Sequence, residues 1–183
     1  MTDRKMISGV DLVKLILEKA GPVPQKKLQK LAYLMEIEYI KEHGRRLSNL
    51  NFKRYYFGPF SDDIRNIEDL DDDIIVTEVK EGTYSVKEAR LLSTGQGKII
   101  MDPDLEKELQ SSLDKYRSFN GALLENMADN TEPFLETGNL NDPIDLDGYA
   151  RYQALIGSEK FIGLVRDKDE ENQRKGLYKK VSG

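Results

Sequence analysis

Between positions 7 and 19 the apolar residues Ile7, Val10, Leu12, Val13, Leu15, Ile16 and Leu17 fall close to a 3.6-residue period, which predicts an amphipathic helix that Gly21-Pro22 stops. The next periodic segment, PQKKLQKLAYLMEIEYIKEHG, has Pro24 suited to a first helical turn and Gly44 suited to a C-terminal cap, so a second helix is predicted over 25–43. Leu28, Leu31, Met35 and Tyr39 make one stripe along it, and Leu34 and Ile37 widen that stripe to much of the circumference. A helix covered on several sides is the expected spine of the fold. Lys26, Lys27 and Lys30 are expected to be exposed on its first turns, near the positive end of the helix dipole, where a bound anion or an acidic surface would offset the cost.

Four aromatic residues then crowd the stretch RYYFGPFSDD at 54–63. Phe52, Tyr55, Tyr56 and Phe57 favour a short strand that Gly58-Pro59 ends. Alternation along that strand is expected to expose Arg54 and Tyr55, while Phe52, Tyr56, Phe57 and Phe60 wedge the next element against the spine. That element is a short helix over 61–70, with Ser61 as its N-cap and Ile64, Ile67 and Leu70 as its apolar side; Asp71-Asp72-Asp73 stops it. From 74 to 91 the period changes to two, with a turn at Glu81-Gly82, which reads as a β-hairpin. Helix resumes weakly from Thr94 and strongly after Asp102-Pro103, where Leu105, Leu109, Leu113, Tyr116 and Phe119 share a face. Shorter helices are expected at 121–129, 131–137, 147–156 and 158–167, a loop at 139–147, and a basic tail. The predicted class is mainly α: a winged-helix-like helical core with a small antiparallel β-hairpin over 1–119, and a helical extension over 120–183 packed on it as one compact unit.

The net charge of −5 conceals an asymmetry: 12 Lys/Arg against 6 Asp/Glu in residues 1–60 (+6), 8 against 22 in 61–150 (−14), and 8 against 5 in 151–183 (+3). The acidic middle repels phosphate and suits a basic partner, whereas the first third offers a local positive face. With no Cys and one His, His43, the chain has no disulfide, thiol nucleophile or multi-histidine metal site. His43 itself sits where a helix C-terminus favours a partial positive charge, so a capping role is expected. No apolar run approaches the roughly 20 residues that span a bilayer, and the start lacks the pattern of a signal peptide, so a cytoplasmic protein without a membrane partner is expected.

Several apparent sites fail on spacing. Gly95-Gln96-Gly97-Lys98 lacks both the leading Gly and the trailing Ser or Thr of a phosphate-binding loop, since Leu92 and Ile99 stand there. The acidic run beginning at Asp69 has Ile74 and Lys80 at the Gly and Glu positions of a calcium loop, and the run around Asp145 has Pro143 in the place of the first ligand and Ala154 in the twelfth. The many carboxylate pairs of so acidic a chain carry no information about acid–base catalysis. Neither a cofactor, a metal nor a catalytic residue is expected.

The segment Leu28-Gln29-Lys30-Leu31-Ala32-Tyr33-Leu34, followed by an aromatic patch and then Phe57-Gly58-Pro59-Phe60-Ser61 before a short helix, resembles the Panacea domain of SocA-type antitoxins over about residues 7–100. Phe57 stands where that family more often has Tyr, and Ala32 where it has a larger apolar residue. The resemblance implies a non-enzymatic module that binds and neutralises a toxin protein or presents it to a protease. From the residues alone, Arg54, Tyr55, Phe57, Gly58, Pro59 and Phe60 form the candidate partner-binding patch, because aromatics beside a rigid turn bury area at low entropic cost. A winged-helix transcriptional regulator is the alternative, with Lys26, Lys27, Lys30, Arg45, Arg46 and Lys53 as candidate DNA or anion contacts. Against it, Asp62, Asp63, Glu68 and Asp69 would put acid on the short helix that enters the groove. The helices after residue 103 offer a homo-oligomer surface as readily as a lid over the core.

Overall fold

The computed structural model describes residues 5–92, 99 and 101–158. The expected helix resumption from Thr94, the Gly95–Lys98 loop, the tail and all but Ser158 of the expected 158–167 helix lie outside the described residues. The first helix, α1 (Gly9–Ala20), is capped by the Ser8 hydroxyl, which accepts from the Val10 N–H. A two-residue strand, β1 (Val23–Pro24), leads into α2 (Gln25–His43), whose boundaries are those the sequence predicts. Leu28, Leu31, Ala32, Tyr33, Met35 and Ile40 on α2 have no exposed surface. They point to different sides because α1, α5, α6 and α8 all pack on this helix. It is the spine expected of a helix apolar around much of its girth. Gly44 ends it at φ +63, and a Cβ there would sit 2.7 Å from the Ala154 Cα, so glycine is needed both for the turn and for the approach of the last helix.

The loop after α2 is organised from within. Glu36, with no exposed surface, accepts from Arg46 Nε at 2.7 Å, from the Leu47 and Ser48 N–H groups at 3.0 and 3.1 Å, and from the Ser48 hydroxyl at 2.7 Å. A buried carboxylate satisfied four times over fixes the path of 46–48 and delivers Phe52 to the core. The aromatic stretch then departs from the expected single strand. Lys53–Tyr55 (β2) and Gly58–Phe60 (β3) pair antiparallel, so Gly58-Pro59 begins a second strand instead of ending the first. Backbone hydrogen bonds from Arg54 N to Asp142 O and from Ile144 N to Phe52 O lay the 139–145 loop along the outer edge of β2.

The expected 61–70 helix is two single turns, α3 (Asp62–Arg65) and α4 (Ile67–Leu70), broken at Asn66. Asp71 and Asp73 do more than stop it, because each accepts an ion pair at 2.8 Å from the largely buried Lys14 of α1. The long hairpin forms as predicted: β4 (Ile74–Glu81) and β5 (Tyr84–Leu91) pair in continuous register, and β1 joins the far edge of β5, giving the order β1-β5-β4. Beyond it come α5 (Pro103–Tyr116), α6 (Gly121–Asp129), α7 (Glu132–Glu136) and α8 (Leu146–Ile156). The fold is mainly α, with small antiparallel sheets and a helical C-terminal part. No helix among the described residues is long and apolar enough to cross a membrane.

Candidate functional site

The two motifs picked out in the sequence meet. Gln29, 4% exposed, grips the backbone of Ser61 from both sides: its Nε2 donates to the Ser61 carbonyl at 2.9 Å, and its Oε1 accepts from the Ser61 N–H at 2.7 Å. One turn further round the same face, Gln25 Nε2 donates to the Arg65 carbonyl at 3.1 Å. Lys30 Nζ donates to the Pro59 carbonyl at 2.8 Å. Thus α2 holds the β3–α3 junction by its main chain, and the side chains of the aromatic stretch are left for other work.

Gly58 closes this junction at φ +86, a left-handed conformation that side chains resist. A Cβ on it would lie 2.6 Å from Asp129 Oδ1 and 3.1 Å from Lys30 Nζ, so the backbone passes between a buried ammonium and a carboxylate of α6. Asp129 Oδ1 is buried and accepts no hydrogen bond. Burial raises the pKa of Asp129, with Glu125 acting in the same direction and Lys30 and Arg54 opposing it. Burial also pulls the Lys30 ammonium down to about 8, against the attraction of Glu125 and Asp129. The sequence places Lys30 on an exposed face; it is instead 6% exposed, because its face of α2 is the one the hairpin and α6 cover.

Above this floor opens a cleft of about 590 Å³. Gln25, Lys26, Gln29 and Lys30 form one wall, Tyr55, Phe57, Gly58 and Phe60 the second, and Gly121, Ala122 and Glu125 at the start of α6 the third; Arg65 and Lys87 stand at its edges. Tyr55 and Phe60 pack at 5.0 Å between ring centroids, and the Lys26 ammonium lies 4.1 Å from the centre of the Phe57 ring.

The residues of the candidate patch divide between the cleft and the interior. Phe57, Gly58, Phe60 and Tyr55 all line the cleft, and Pro59 supplies the carbonyl that Lys30 holds. Arg54, expected to be exposed, is turned inward: its guanidinium donates to the carbonyls of Phe134 and Thr137 at 2.9 and 3.0 Å and stacks 4.4 Å from the Phe134 ring, tying α7 to β2. Tyr56 and Phe57, expected to be wedges, are 71% and 53% exposed. The reason is the register: Tyr55 pairs with Gly58, so 56–57 is a two-residue hairpin turn to which strand alternation does not apply. Phe52, in contrast, is buried edge-on against Tyr33.

The candidate anion contacts do not converge on one surface. Lys27 donates to the Arg117 carbonyl, Arg45 to the Tyr39 hydroxyl, and Arg46 to Glu36 and the Leu50 carbonyl; Lys53 pairs with Asp62 at 2.7 Å. Lys26 and Lys30 stand apart from these, in the cleft. His43, expected as a helix cap, turns its ring toward another helix. Its Nε2 meets Glu108 Oε1 at 2.5 Å, linking α2 to α5, and Glu42, His43 and Glu108 bring three ligand atoms within 4.8 Å of one another. Sequence reasoning missed Asp129 and Ala122 altogether, and no spacing signal could have found them, since α6 reaches the hairpin only through tertiary packing.

A family model described as antitoxin SocA-like, Panacea domain, matches residues 28–133, more than half of the chain; the match begins at the Leu28 motif, later than the resemblance over about 7–100, and runs on through α6. No curated protein and no solved structure matches it. The chain belongs to the Panacea domain family.

Proposed function

We propose that this Panacea domain works as an antitoxin-type protein: it binds a toxin protein without turning over a substrate, and neutralises it by occupying its surface or by presenting it for proteolysis. The observation that carries this reading is the Tyr56-Phe57 turn. Two large aromatics stand in solvent beside an apolar cleft, on the two-residue turn between the paired strands β2 and β3, and the residues just after that turn, Pro59 and Ser61, are held by Lys30 and Gln29. Holding aromatic side chains exposed and rigid lowers the ordering cost of association, which is what a protein interface requires. The family's antitoxin character supports the same conclusion.

Co-expression with the product of the adjacent gene tests it. That product is expected to arrest growth alone, to be harmless alongside this chain, and to co-purify with it. Replacing Tyr56 and Phe57 together by Ala is expected to abolish co-purification while moving the melting temperature by less than about 2 °C, since neither ring is in the core. A neighbour that is harmless by itself would remove the reading.

A winged-helix DNA-binding role has the element order and the three-stranded sheet in its favour. The cations that such a role would use are mostly engaged within the fold, and the acidic α3 and α4 are single turns. Binding to upstream DNA at about 50 mM salt, where phosphate contacts are strongest, is the measurement that would establish it.

A further inference from the structure

The surface of this acidic chain is locally inverted at the cleft. Lys26 and Lys87 are exposed there and have no ion pair among the described residues. Lys87 faces Glu78 across the hairpin register but forms no ion pair with it. Arg65 pairs with Asp62, on its own turn of helix, at 2.9 Å, and with no other acid among the described residues. Beneath them Lys30 spends one N–H on the Pro59 carbonyl and is more than nine-tenths buried. Against these four cations the lining contributes one acid, Glu125, while Asp62 offsets Arg65 and Asp129 acts on Lys30 from behind Gly58. The walls between are apolar and aromatic: Tyr55, Phe57, Phe60 and Ala122.

We infer that the cleft receives a segment of the protein partner that carries carboxylates beside an apolar side chain. The inference rests on the partner-binding reading above and names the chemistry of what is bound. A basic segment would meet the exposed ammonium groups of Lys26 and Lys87; an acidic one is drawn in and reaches the free N–H groups of Lys30 at the floor, where low polarity strengthens a charge-assisted hydrogen bond. An apolar side chain then fills the space between the Phe57 and Phe60 rings and the α6 wall. The occupant is a macromolecular segment because the apolar surface does not end at the rim: it continues onto the exposed Tyr56 ring, packed 5.3 Å from Tyr55 and outside the cleft. Overall charge, with its acidic middle of the chain, suggests a basic partner; the lining of this cleft points to an acidic segment.

Two sets of ten-residue fluorescent peptides test this, each with a central Phe or Leu, flanked by Asp and Glu in one set and by Lys and Arg in the other. Binding to the full chain is read by anisotropy at about 50 mM and 300 mM salt. Acid-flanked peptides are expected to bind in preference and to weaken as salt rises. Ala122→Trp, which fills the cleft from an exposed position, is expected to remove binding, and Lys26→Glu with Lys87→Glu to weaken it about tenfold. Their melting temperatures check that both variants fold. Preference for the basic set, absence of binding by both sets, or equal binding by Ala122→Trp would overturn the inference. So would a stoichiometric small anion released from the purified chain on denaturation and seen by mass spectrometry, which would make the cleft a small-molecule site. Should the whole partner protein bind these variants as it binds the parent chain, the inference fails while the antitoxin reading stands; should no partner complex form at all, it is that reading that fails.

Discussion

Replacing Gln29 by Ala isolates the grip between the two motifs. In the native chain both polar atoms of the Gln29 amide are used on Ser61, and both residues are buried. The two halves of the loss differ. The Ser61 carbonyl also accepts from the Arg65 N–H at 3.2 Å, so it keeps a partner, whereas the Ser61 N–H has no other among the described residues. A buried donor left unsatisfied costs about 1–3 kcal/mol and the partly compensated acceptor about 0.5–1.5 kcal/mol, which places the variant roughly 2–4 kcal/mol below the parent chain. Against a total stability of about 5–15 kcal/mol this is a large fraction, readable as a shift in the urea midpoint by circular dichroism with the slope unchanged. Gln29→Glu sharpens the test. It keeps an acceptor for the Ser61 N–H but turns an anion toward the Ser61 carbonyl, so the carboxyl titrates higher in the folded than in the unfolded chain. The folded state then binds the extra proton, and the stability lost near neutral pH is regained as pH falls through the folded pKa toward the unfolded value of about 4.3. Gln29→Ala within about 0.5 kcal/mol of the parent, or Gln29→Glu matching it at pH 8, would refute the idea that this amide joins the motifs.

Gly58→Ala combines a left-handed backbone with a Cβ placed 2.6 Å from Asp129 Oδ1; the backbone alone costs about 1–2 kcal/mol, so a melting temperature lower by at least about 3 °C is expected in calorimetry. Lys30 gives the chain an alkaline signature. Its pKa, about 8 when folded, lies below the usual 10.5, so between those values the unfolded chain binds the proton that the folded chain has shed, and stability rises with pH. Measured as the difference from Lys30→Met, unfolding free energy should grow by up to roughly 3 kcal/mol over that window and stay flat below it. Glu36→Ala removes the acceptor shared by Arg46, Leu47 and Ser48 and leaves a guanidinium without its buried partner; about 3–5 kcal/mol should be lost in denaturant titration.

Periodicity made the long elements legible. Helix α2 runs from Gln25 to His43 as its Pro24 and Gly44 boundaries dictate, and the long hairpin turns where Gly82 permits. Both are local: a repeat of 3.6 or 2 needs no knowledge of what lies opposite. The aromatic stretch misled because Gly58-Pro59 has the chemistry of a strand terminator and yet pairs with Arg54 and Tyr55, an outcome decided by Gln29 and Lys30 from another element. Arg54 misled for a related reason. Alternation says which face a side chain leaves by but not what waits there, and here the carbonyls of α7 do. Lys30 is the clearest case, since a cation on the first turns of a helix has every local reason to be exposed, and only the arrival of β3 and α6 buries it.

The way α2 holds its neighbour divides labour within the chain. Gln29 and Lys30 grasp carbonyls and an amide, groups that every residue possesses, and only Gly58 is constrained in kind. Tyr56, turned into solvent outside the cleft, could therefore be exchanged for another side chain without loosening the clasp beneath it. A surface built so can change the chemistry it offers at its rim while the clasp stays out of sight in the interior, indifferent to the change.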